Sequence, residues 1–225
     1  MSLVAASSGL LQPLRSFVKE LRQPVWGTCA GLILLAESAN RTKLTGQELI
    51  GGLDVRVNRN HFGRQVESFE AELDLPFLEH SEVKEGTLKE GNAGRGRKFR
   101  SVFIRAPVVE SILDPKEGVQ VEQEGKDDTV VAPSLRPVDT GAKEAKGSGG
   151  VEVLARLPGR ARALKDKQTT ARDVGEEGDI VAVRQGNVFA TSFHPELTGD
   201  ERIHVWWLEQ VVEAVRKRRA VDAGA

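Results

Sequence analysis

The sequence predicts an α/β domain, and three observations carry that prediction: a short apolar segment passes through two glycines into an apolar helix, further β-rich segments follow, and the chain closes with a strand pair and an amphipathic helix. The 225 residues, 39% of them hydrophobic, suit one domain spanning 1–225. Leu10, Leu11, Leu14, Phe17, Val18 and Leu21 recur at spacings of three and four and predict a helix over 10–22, with Pro13 tolerated near its start. After Pro24, residues 25–28 read as a short buried strand and 32–36 as a helix packed along it. Strands are expected at 54–58 and at 102–106, the latter closed by Pro107, which cannot donate to a ladder.

Two polar stretches interrupt this pattern. Residues 79–100 carry Gly86, Gly91, Gly94 and Gly96 and read as a surface insertion. Residues 114–179 form a longer insertion rich in Gly, Lys and Glu, with disorder expected over 122–149 and a return to the sheet at 151–154. Residues 180–184 and 188–193, separated by Gln185-Gly186-Asn187, form a hairpin. Ile203, Trp207, Leu208, Val211, Val212 and Val215 then make a helical stripe, followed by the basic run 216–219, which suits a helix C-terminus.

Charge and cysteine usage exclude several function classes. Lys plus Arg number 32 against 33 Asp plus Glu, so no global basic surface is available for nucleic acid or an anionic membrane. The single cysteine cannot form an internal disulfide or a paired-thiolate zinc site, which leaves an inert thiol or a nucleophile in a reducing compartment. No apolar run approaches the ~20 residues of a membrane-spanning helix, and the N-terminus is not that of a signal peptide. The expectation is a soluble, cytoplasmic protein.

Gly27-Thr28-Cys29-Ala30-Gly31 has the form G-x-C-x-G where a strand turns into a helix, the arrangement of a nucleophile elbow. Glycines on both sides would let the backbone pass close to its neighbours, and the helix N-terminus would lower the thiol pKa. On the motif alone, Cys29 as a small buried hydrophobe stays open. Phe193-His194-Pro195-Glu196 lies just past a strand end, where Glu196 can turn back to orient the His194 imidazole toward a thiol. A capping histidine beside an exposed glutamate is the plain alternative. His61, His80 and His204 read as structural or solvent-facing, and no metal-ligand spacing or H-E-x-x-H occurs, so neither metal nor cofactor is expected.

Four blocks together resemble one family: residues 27–33 (Gly-Thr-Cys-Ala-Gly-Leu-Ile), 58–70 (Asn-Arg-Asn-His-Phe-Gly-Arg-Gln-Val-Glu-Ser-Phe-Glu), 102–107 (Val-Phe-Ile-Arg-Ala-Pro) and 192–198 (Ser-Phe-His-Pro-Glu-Leu-Thr). The family is the glutaminase subunit of pyridoxal 5′-phosphate synthase, a class I glutamine amidotransferase. The resemblance implies a flavodoxin-like three-layer sheet with flanking helices, lacking its first strands. It also implies hydrolysis of L-glutamine by a Cys29-His194-Glu196 triad, with ammonia channelled to a synthase subunit in vitamin B6 biosynthesis. Arg59 would hold the substrate α-carboxylate, Ile104 and Arg105 would border the pocket, and the Ala30 N–H would serve the oxyanion.

The chain departs from the family at its start. The leading strands and a Gly-Gly-Glu-Ser-Thr loop are absent from the sequence, and residues 1–15 resemble the segment that follows that loop. The expectation is an N-terminally incomplete domain with one oxyanion donor missing, a loss of about 10²–10³ in kcat. A weakly active or inactive partner-binding or regulatory protein of the same complex is the alternative. A different cysteine hydrolase would take its acid from Asp173 or Asp179.

Overall fold

The computed structural model describes residues 2–41, 48–59, 68–79, 98–113, 128–133, 149–158 and 178–224. Two short helices, α1 (Ser2–Ser7) and α2 (Leu11–Arg15), lead into a π-helical turn at Ser16–Glu20. The helix expected over 10–22 is therefore present in two pieces, with Leu11 and Val18 buried on its inner face. Strand β1 (Val25–Thr28) and helix α3 (Ala30–Leu35) follow. Residue 36, expected at the helix end, begins strand β2 (Ala36–Asn40) instead. The later strands are β3 (Leu53–Asn58), β4 (Phe69–Leu73), β5 (Phe99–Phe103), β6 (Val108–Ile112), β7 (Thr129–Val131), β8 (Glu152–Leu157), β9 (Asp179–Gln185) and β10 (Val188–Thr191). Helix α4 (Arg202–Gly224) completes the described chain.

The main sheet runs β1-β10-β9-β6-β3-β2-β7, with β8 also pairing β9, while β4 and β5 form a separate antiparallel pair. Its two parallel contacts are β1 with β10 and β2 with β3. The C-terminal hairpin forms as expected, with Val188 opposite Gln185. Residues 151–154 do return to the sheet, as the start of β8. The strand expected at 102–106 begins earlier, at Phe99, and ends at Phe103, because Arg105 takes a positive φ of 47° that no strand accommodates. Within 122–149, expected to be disordered, Thr129–Val131 forms β7 against β2. Most of that stretch and residues 80–97 of the first insertion lie outside the described residues.

Two clusters build the core. The first is aliphatic and joins Val18 to Leu32, Leu35, Leu53, Val55, Val57 and Val188. The second is aromatic, with Phe99, Phe103, Phe189, Phe193 and Trp206 packed around the end of β10. Phe189 and Trp206 meet edge to face with centroids 5.0 Å apart, and Phe103 meets Phe193 in the same way at 5.7 Å. His204 joins this cluster against Trp26, at 5.1 Å between rings, which places it as a packing residue.

One buried ion pair fastens the leading helical segment to the sheet. Lys19 Nζ lies 2.9 Å from Glu37 and donates to the Pro133 carbonyl, while Glu37 Oε1 accepts the Gly52 N–H at 2.8 Å. Gly52 has φ of +114°, and a Cβ there would stand 2.5 Å from Val18 Cγ1, so only glycine lets the loop reach the carboxylate.

Candidate functional site

The elbow forms because β1 delivers its last residue directly into the first turn of α3. Cys29 occupies the junction with φ 48° and ψ −103°, a strained conformation for a residue with a side chain. Its backbone N–H donates to the Thr191 carbonyl at 2.8 Å, one step beyond the Thr28–Thr191 pairing of β1 with β10. This bond helps hold the strained turn in place. Gly27 is sterically required: a Cβ there would lie 2.6 Å from the Gly31 carbonyl carbon and 2.7 Å from Leu35 Cδ1. Gly31 is not, since a Cβ on it would meet nothing within 4 Å. The expectation that both glycines serve close passage thus holds for the first alone.

The thiol is half-buried, and its Sγ donates to the Ile104 carbonyl at 3.6 Å. Burial pushes its pKa above the ordinary thiol value; the Ala30 N–H acts in the opposite direction, and the charge of Glu196 raises it further. Here the structure corrects the expected lowering. The N–H at the head of α3 does favour the thiolate, but desolvation outweighs it.

His194 ends the tight segment after β10. Its backbone N–H donates to the Val102 carbonyl on β5, and Pro195–Leu197 turns back in a single 3₁₀ turn. That turn brings Glu196 Oε1 to 2.7 Å from His194 Nδ1, which leaves Nε2 as the nitrogen free to exchange a proton elsewhere. Asp179, the alternative acid, begins β9 and does not pair with this nitrogen; Asp173 lies outside the described residues. The side chain of His194 is 21% exposed and that of Glu196 49%, so this pair faces solvent.

Strand β5 and the turn after it bind the two halves together. Val102 accepts from His194, and Ile104, two residues on, accepts from Cys29. The neighbouring Arg105 adopts positive φ, which lets the chain turn at this point. Arg59 follows β3, with its backbone N–H donated to Asn40 Oδ1 at 2.7 Å, and burial pushes its pKa down. The backbone acceptors Thr191 and Val102 and the side-chain acceptor Asn40 escaped the sequence reading. A main-chain carbonyl leaves no residue-type signal, whereas Asn40 at the end of an unrecognised strand had nothing to mark it. His61 and His80 lie outside the described residues. Among the described residues no group of three or more His, Cys, Asp or Glu side chains could hold a metal ion.

The Cys29 thiol, the His194 imidazole and the Glu196 carboxylate thus lie near one another beyond the ends of β1 and β10, with backbone N–H and C=O groups around them. Such an arrangement can carry acyl transfer through a thioester. The model of the SNO glutamine amidotransferase family matches residues 1–137 and 148–213. The chain is 37% identical over 218 residues to a probable pyridoxal 5′-phosphate synthase subunit PDX2 of Arabidopsis thaliana, covering 95% of this chain and 67% of that protein. It is 35% identical over 223 residues to the pyridoxal 5′-phosphate synthase subunit PdxT of Streptomyces coelicolor, covering 99% of this chain and 73% of that one. The crystal structure of a glutamine amidotransferase superposes with a TM-score of 0.53 at 32% identity, covering 92% of this chain and 70% of that chain.

Proposed function

This chain belongs to the SNO glutamine amidotransferase family, and from that premise we propose that it hydrolyses L-glutamine to glutamate and ammonia through Cys29, His194 and Glu196. The ammonia then passes to a synthase subunit that makes pyridoxal 5′-phosphate in the cytoplasm; the support for a synthase partner is that the relatives in Arabidopsis thaliana and Streptomyces coelicolor are named as subunits of pyridoxal 5′-phosphate synthase. The observation that carries the catalytic reading is the 2.7 Å contact of His194 Nδ1 with Glu196, beside the only cysteine of the chain on a strained elbow.

Cys29 Sγ attacks the side-chain amide carbon as His194 Nε2 takes its proton, and the oxyanion forms toward the Ala30 N–H. The C–N bond breaks, and His194 returns the proton to the leaving nitrogen, which departs as ammonia. Water then attacks the glutamyl thioester, giving up a proton to His194; the C–S bond breaks, glutamate leaves and the thiol is restored. Glu196 keeps the imidazole in the tautomer that presents Nε2 and stabilises its cationic form. Arg59, half-buried at the end of β3, would pair with the substrate α-carboxylate, and the Ile104–Arg105 backbone would border the amide pocket.

One observation favours a second reading, a partner-binding protein with weak hydrolysis of its own. The thiol rests on the Ile104 carbonyl, and burial holds its pKa above the ordinary thiol value, which disfavours the thiolate. Ammonia release from glutamine, measured with the chain alone and with its synthase partner, tests both readings. The triad reading requires turnover that depends on Cys29. Binding of the synthase with no Cys29-dependent turnover in either arm would leave the second.

A further inference from the structure

Arg59 stands at the end of the sheet that carries Cys29 and His194. Asp54 and Gln185 are tied twice, through Asp54 N–H to Gln185 Oε1 at 2.8 Å and Gln185 Nε2 to Asp54 Oδ2 at 2.6 Å, so β3 starts beside the turn between β9 and β10. At its other end Asn58 lies opposite Val108, and the neighbouring Val109 pairs with Ile180 at the start of β9, beside the end of β10. The chain from Ile104, whose carbonyl meets the Cys29 thiol, to Val108 spans at most about 14 Å.

A side chain holds the main chain at Arg59. Strands β2 and β3 run in parallel to the Ala39–Val57 pair, and beyond it Asn40 Oδ1 accepts the Arg59 N–H at 2.7 Å. Asn40 is braced from its other side, where it pairs with Thr129 of β7, and the next residue, Arg41, donates its N–H to the Asp128 carbonyl. A strand from the long polar insertion thus fixes the residue that fixes Arg59. A guanidinium meets a carboxylate with two parallel hydrogen bonds only from a narrow range of positions, so the seat of its backbone governs how well it binds.

We propose that Asn40 is a positioning residue for substrate binding: its side-chain carbonyl sets the main chain at Arg59 so that the guanidinium meets the glutamine α-carboxylate. The proposal rests on the reading of Arg59 as the carboxylate's partner. The bond acts on the carboxylate end of the substrate and not on the amide, so its loss raises KM and spares kcat.

The test is Asn40→Leu, which keeps the size and removes the acceptor, beside Asn40→Asp, which keeps the acceptor, Arg59→Ala and the Asn40→Leu, Arg59→Ala double variant, each in the full chain with its synthase partner. Glutamine KM, kcat and the thermal midpoint are measured; if Asn40→Leu does not fold, Asn40→Ala takes its place. Asn40→Leu is expected to raise KM about 3- to 10-fold, the worth of one neutral hydrogen bond, with kcat within about 2-fold. Asn40→Asp should return KM to within about 2-fold of the parent, and in the Arg59→Ala background Asn40→Leu should add no further rise. An unchanged KM in Asn40→Leu, or the same rise with Arg59 absent, while Arg59→Ala itself raises KM, overturns this proposal alone. An unchanged KM in Arg59→Ala overturns the carboxylate reading of Arg59 and this proposal with it.

Discussion

Cys29 and His194 sit at the ends of neighbouring parallel strands, yet the first is held by buried backbone geometry and the second by a side-chain contact that reaches solvent. At the elbow, a positive φ, a bond to Thr191 and the close passage of Gly27 against Gly31 fix the half-buried Cys29. At the His-Pro-Glu turn, the His194 N–H bonds to Val102, the Leu197 and Thr198 N–H groups close the turn on the His194 and Pro195 carbonyls, and the Glu196 contact faces solvent. The difference teaches that the elbow couples chemistry to stability, whereas the turn can lose chemistry while the fold persists.

The sharpest break in that comparison comes from the base. His194→Ala should lower kcat by about 10⁴-fold, as loss of a general base does in a triad, with a thermal midpoint unchanged within error. Steady-state ammonia release and a thermal melt on the same sample check both halves. Next, Gly27→Ala should cost about 3 kcal/mol, because the added carbon meets backbone that cannot yield, and should lower the midpoint by about 5–10 °C in a melting scan. A fully stable Gly27→Ala protein would mean that the elbow is not packed as described. Glu196→Gln should reduce kcat by about 10²-fold at unchanged stability, since the carboxylate only orients the imidazole and is half exposed.

The smallest effect concerns pH. Burial raises the Cys29 pKa, and a raised pKa keeps the thiol protonated to higher pH. Alkylation of Cys29 by iodoacetamide should therefore climb through a midpoint above that of a free thiol, and Glu196→Gln should shift the midpoint down by removing a nearby negative charge. A midpoint below the free-thiol value would show that the helix terminus prevails over burial.

Much of the candidate site was legible because the chemistry proposed for it rests on residue types. A lone cysteine between glycines and a histidine two residues before a glutamate announce themselves, and the 3₁₀ turn that joins them follows from Pro195. The secondary structure was legible where periodicity was strong, as in α4 and the β9–β10 hairpin. It was not legible in β2, whose Ala36-Glu37-Ser38-Ala39-Asn40 has no β-branched residue and no alternation because both faces are buried. Glu37 reads as a surface charge, yet it is the buried partner of Lys19, a pairing separated by 18 residues that no local pattern reveals. The direction of the Cys29 pKa shift was misread for a related reason: a helix start is visible in a sequence, and the depth at which its first residue is buried is not.

The central claim is that Cys29 forms a covalent bond to the glutamyl group during turnover. Rapid quenching of the full chain with glutamine, followed by mass spectrometry of the peptide containing Cys29, tests it most directly. The account predicts a glutamyl thioester on that peptide, absent in Cys29→Ala, whose ammonia release is lost. Undiminished ammonia release by Cys29→Ala, with no adduct on the parent chain, would contradict it.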